Sequence, residues 1–69
     1  MQKIILEKRA DYWGVWLYGI NGMPEDVELP LPFGPRCPLA IVVRDMAKRF
    51  PGAAMFWRDS GQLVRCHVS

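Results

Sequence analysis

The stretch CPLAIVVRDMAKRFPGAAMFWRDSGQLVRCHVS, from Cys37 to Ser69, holds one amphipathic helix followed by one tight hairpin, and its reading decides the fold. Pro38 suits the first helical position, where its missing N–H would be unpaired anyway. Leu39, Val42, Val43, Met46, Ala47 and Phe50 then recur at i, i+3, i+4, i+7, i+8 and i+11, which gathers them on one stripe of a helix. Lys48 and Arg49 fall in the last turn, where the helix dipole favours cations, and Pro51-Gly52 stops the element. Asp45 is placed to pair with Arg49 one turn on. Arg44, Lys48 and Arg49 give the helix a basic outer edge, a pattern that on most helices is a solvated face.

After the helix, Ala53 to Asp59 and Gln62 to Val68 read as strands joined by Ser60-Gly61. A two-residue loop pairs Arg58 with Leu63, Trp57 with Val64, Phe56 with Arg65 and Met55 with Cys66. Alternation then separates two faces. Met55, Trp57, Val64, Cys66 and Val68 point to the core, whereas Phe56, Arg58, Leu63, Arg65 and His67 point the other way and mix cations with apolar groups. An arginine beside a phenylalanine can hold a phosphate while the ring stacks on a base, or anchor an acidic protein surface. Its plain structural meaning is cross-strand packing of Phe56 on Arg65.

The first half of the chain supplies the other strands. Gln2 to Lys8 is β-branched, Tyr12 to Tyr18 is aromatic, and Arg9-Ala10-Asp11 breaks them into a hairpin. With an even loop, Ile4 and Leu6 share the core face with Trp13, Val15 and Leu17. Lys3, Ile5, Glu7, Tyr12, Trp16 and Tyr18 share the opposite face, where Ile5, Trp16 and Tyr18 predict an apolar patch. Between Gly19 and Gly34 a loop with the acidic cluster Glu25, Asp26 and Glu28 leads into an alternating segment. There Val27, Leu29, Leu31 and Phe33 oppose Glu28, Pro30 and Pro32, and the prolines confine it to a sheet edge. The spacings Pro32-x-x-Pro35 and Pro35-x-x-Pro38 also have the form of a proline-rich ligand, a short pattern that arises often by chance.

Sixty-nine residues make a single domain, 1–69, with room for one modest core. Hydrophobic residues at 51% and charged ones at 23% are those of a folded chain, and a net charge of +2 does not demand a polyanion. Two cysteines, Cys37 and Cys66, are too few for a disulfide framework, so reduced thiols are expected. No apolar run approaches the roughly 20 residues of a membrane span, and the N-terminal residues lack a signal-peptide core, which places the chain in the cytoplasm.

The candidate chemistry is sparse. His67 and Cys66 point to opposite faces and cannot chelate one ion, so no metal site is expected. Cys37 precedes the helix with Arg36 beside it, which favours a thiolate, yet only His67 offers itself as a base. No glycine-rich loop opens a helix with phosphate-cradle spacing, and the cluster of Glu25, Asp26 and Glu28 reads as a solvated acidic loop. The expectation is therefore no cofactor and no enzyme.

Together these elements predict an α+β domain in the order ββ(β)αββ, a small antiparallel sheet of four to five strands with one α-helix packed on one face. A single helix covers one side, so Trp16, Tyr18, Phe56, Arg58, Leu63 and Arg65 become the candidate partner-binding residues, with Arg44, Lys48 and Arg49 as a basic helix edge. A protein partner is expected first, with a homodimer as one form of it and no membrane. A small nucleic-acid-binding protein using the basic and aromatic face is the alternative. The Leu29 to Phe33 segment followed by a helix closing on Arg49 to Gly52 resembles small hypothetical proteins of phages and prophages. That resemblance implies an accessory protein that binds and blocks a host machine, as anti-CRISPR and anti-restriction proteins do.

Overall fold

Strand β1 (Lys3–Lys8) is the centre of the sheet, and its consecutive apolar residues Ile4, Ile5 and Leu6 are buried on both faces. A computed structural model describes residues 2–67. In it β1 pairs antiparallel with β2 (Trp13–Tyr18), and the Arg9 N–H donates to the Tyr12 carbonyl at 2.8 Å to close the loop. The loop has the even length that keeps Ile4, Leu6, Trp13, Val15 and Leu17 on one face, and all five are buried. Strand β3 (Leu29–Leu31) adds antiparallel to β2 as an edge. It is only three residues long, and Pro30 at its centre has no N–H to offer a further strand.

From that edge the chain crosses the sheet as helix α1 (Leu39–Arg49) and returns as β4 (Ala54–Asp59) beside β1, followed by β5 (Gln62–Arg65). The strand order is β3-β2-β1-β4-β5, five strands under one helix, an α+β domain. The sheet is mixed, which corrects the expectation of a wholly antiparallel one: β4 runs parallel to β1, with Ile4 opposite Met55 and Leu6 opposite Trp57. The reason is geometric. Two reversals leave β3 running in the direction of β1, and a helical crossover delivers the next strand in that same direction.

Val42, Val43 and Met46 carry the buried stripe of α1 onto Ile4, Leu6, Trp13, Val15, Leu17 and Met55. Each such side chain stabilises the fold by roughly 1.5–3 kcal/mol. Pro38 is the N-cap, so the helix begins one residue later than expected and Cys37 lies outside it. The buried Trp13 indole donates Nε1–H to the Cys37 carbonyl at 3.0 Å, which ties the entry of the crossover to β2. At the far end Phe50 N–H bonds to Met46 O, and Gly52, with φ of 86°, turns the chain into β4.

Two further expectations need correction. Val64 was assigned to the core but is 43% exposed, because β5 is the outermost strand and α1 does not reach over it. Val27 is 46% exposed, so only Leu29, Leu31 and Phe33 of the alternating segment pack on the core. The strand assignment beyond Arg65 stops short of Val68, which lies outside the described residues.

Candidate binding surface

On the face away from the helix, Ile5 stands in the central strand between Trp16 of β2 and Phe56 of β4 at the same register. It is 4% exposed, not a free member of an apolar patch as the alternation alone suggests. A central residue is shielded by larger neighbours on both sides. Trp16, Tyr18 and Phe56 are half-buried around it.

Cations cover the rings. The Arg58 guanidinium lies 4.8 Å and that of Arg9 5.6 Å from the Trp16 ring centre, Lys3 Nζ lies 5.0 Å over Tyr18, and Arg65 lies 5.4 Å over Phe56. Two carboxylates hold the arginines in place. Glu7 accepts from Arg58 Nη1 at 3.2 Å through one oxygen and from Arg9 Nη1 at 3.4 Å through the other. Glu28 accepts from Arg9 Nε at 2.7 Å and from the Tyr12 hydroxyl at 3.2 Å. Its hydrogen bond is the main cause that raises the Arg9 pKa above the ordinary guanidinium value. Exposed ion pairs of this kind contribute little to stability, so their effect is to orient the guanidinium groups.

Gly14 makes this arrangement fit. Glu28 lies across the backbone of Gly14, and a Cβ there would collide with the carboxylate. The acidic segment is thus not simply solvated. Glu25 accepts the Gly19 N–H at 2.9 Å, and Asp26 accepts the Tyr18 hydroxyl at 3.1 Å. Burial first, and then the bond to Asp26, raise the Tyr18 pKa above the ordinary phenol value.

The six candidate residues Trp16, Tyr18, Phe56, Arg58, Leu63 and Arg65 therefore share one face, with Leu63 49% exposed at its margin. The basic helix edge does not join them. Arg44 belongs to the helix side, where it borders a groove with Val43, Trp57 and Val64, and Arg49 pairs with Asp45 at 2.8 Å. Alternation places Lys3, Glu7 and Tyr12 on the open face without a role, and gives Arg9 only as part of a strand break and Glu28 only as part of a solvated acidic loop. Arg9 sits in a loop and meets Glu28 across nineteen residues, a pairing with no periodic signal.

Cys37 and Cys66 are both free thiols, each half-buried. Burial raises the Cys66 pKa above the ordinary thiol value. Among the described residues no group of three or more His, Cys, Asp or Glu side chains is arranged to hold a metal ion. No helix among them is long and apolar enough to cross a membrane. No protein-family model matches the chain, and no curated protein or solved structure matches it significantly either.

Proposed function

We propose that this chain is a non-enzymatic protein-binding module whose docking surface is the open sheet face. The observation that carries this reading is the frame of Glu7 and Glu28 around Arg9, Arg58 and Trp16. It presents half-buried aromatic groups beside oriented arginines, the composition of an interface hot spot, with side-chain freedom already reduced before binding. Glu7 and Glu28 occupy Arg9 and Arg58, and Asp26 occupies the Tyr18 hydroxyl, while Lys3 and Arg65 have no ion-pair partner among the described residues, so the partner it suits is a protein that brings carboxylates to those two cations. The resemblance to phage accessory proteins makes a host machine the partner class, with the chain acting in the cytoplasm as its inhibitor, in the manner of anti-CRISPR or anti-restriction proteins.

The same frame supports a protein partner over nucleic acid. Arg9 and Arg58 already hold carboxylates, which must be displaced before either guanidinium can bind a phosphate. Arg44 and Lys48 stand on the other side of the sheet and add nothing to that face. A salt titration with random duplex and single-stranded oligonucleotides tests the choice. We expect weak or no binding near 150 mM salt. Submicromolar affinity there, falling steeply with salt and lost on mutating Arg58 and Arg65, reverses the ranking.

A further inference from the structure

The two edges of the sheet differ, and the difference assigns a second surface along the margin of the open face, where Leu63 and Arg65 lie. The β3 edge is closed to further pairing by Pro30. At the other edge all four residues of β5 are exposed. The Cys66 N–H donates to the Met55 carbonyl at 2.9 Å, which sets the phase of the β4–β5 ladder. Counting back in twos, Val64 and Gln62 also turn their backbone groups toward β4, opposite Trp57 and Asp59. The N–H and C=O groups of Leu63 and Arg65 therefore point outward, free to pair with another strand.

Beside this edge, on the helix side, lies a groove of about 400 Å³ between α1 and β5. Val43, Trp57 and Val64 line it, and the half-buried Trp57 ring and exposed Val64 leave apolar surface along it. Among the described residues its lining includes Arg44 and no carboxylate, and the Arg65 guanidinium, with no ion-pair partner among them, lies across the same edge.

We propose that β5 is a docking edge for an extended peptide that alternates apolar and acidic residues, adding as a sixth strand antiparallel to β5. Its main chain pairs with Leu63 and Arg65, its apolar side chains lie beside Val64 along the groove, and its carboxylates face Arg65 on the opposite side. A second copy of this chain fits less well. Its own β5 presents Arg65 and no carboxylate, so self-pairing brings cations to an edge already flanked by Arg44 and Arg65.

The test uses a blocked heptapeptide alternating glutamate with valine, the same peptide with lysine for glutamate, and two N-methylated copies of the first. One copy is methylated at the glutamates, whose amides face β5, and the other at the valines, whose amides face away. The parent and the valine-methylated peptide are expected to bind alike, and the other two at least about tenfold more weakly. Arg65→Glu should weaken the parent peptide by about tenfold as well. Amide hydrogen exchange at Leu63 and Arg65 should slow on peptide addition, with that at Val64 already slow in the free protein. Equal binding of the lysine peptide, equal effects of the two methylation patterns or absence of binding overturns the proposal. So does a dimer in which Leu63 and Arg65 are protected without peptide, which gives the edge to a second copy.

Discussion

At the scale of single residues, Gly14 is where sequence and geometry meet most sharply. It sits in the middle of β2 with no unusual φ, so its reason for being glycine is the Glu28 carboxylate lying over it. Gly14→Ala should displace that carboxylate from Arg9 and Tyr12 and cost about 1–3 kcal/mol, read as a lowered urea midpoint. Nothing in the alternation pattern points to this, because a contact between side chain and backbone across a sheet edge leaves no periodic trace. Titration offers a second check at this scale. Cys66 and Tyr18 both have pKa values raised by burial, so the fold favours their neutral forms. Their contribution is complete below the ordinary values and is lost as pH rises through the raised ones. Urea midpoints should therefore hold from neutral pH to roughly 8.5 and fall at and above roughly pH 10, where thiol and phenol ionise. In a Tyr18→Phe, Cys66→Ser double variant that alkaline fall should shrink.

Among the elements, the β4–β5 hairpin was the most legible and the β1–β4 pairing the least. Ser60-Gly61 between alternating runs predicts the observed register, Arg58 opposite Leu63 and Phe56 opposite Arg65, because a two-residue turn leaves no freedom to slip. Ser60 and Gly61 both have positive φ, 51° and 83°. Gly61→Ala should therefore destabilise by about 1 kcal/mol in thermal unfolding, and Ser60→Gly should be neutral or stabilising. The helix was equally readable from its apolar stripe. The parallel pairing was missed because strand direction depends on the whole path of the chain, two hairpin reversals and one crossover, rather than on any local pattern. Val64 was misassigned for a related reason. Alternation names the face a residue points to, and only the position of β5 at the sheet edge shows that the helix does not cover it.

The molecule as a whole is a sheet with two unlike faces. Trp13 and Trp16 lie three residues apart on one strand and divide between them: Trp13 is 2% exposed beneath the helix, with its indole bonded to Cys37, while Trp16 lies under Arg9 and Arg58. Trp13→Ala should lower stability by about 3–5 kcal/mol, a large fraction of what a domain this size has to lose. Trp16→Glu bears most directly on the claim that the open face is the docking surface, since the new carboxylate meets two arginines rather than the core. The deciding measurement is quantitative capture of binding proteins from a cell lysate by this variant and by the natural chain, with circular dichroism and urea unfolding run on the same preparations. The expected result is a near-natural spectrum, a stability loss of about 1–3 kcal/mol from uncovering Ile5, and at least about tenfold less partner captured. Undiminished capture, or a collapse of secondary structure showing Trp16 to be core, would contradict it.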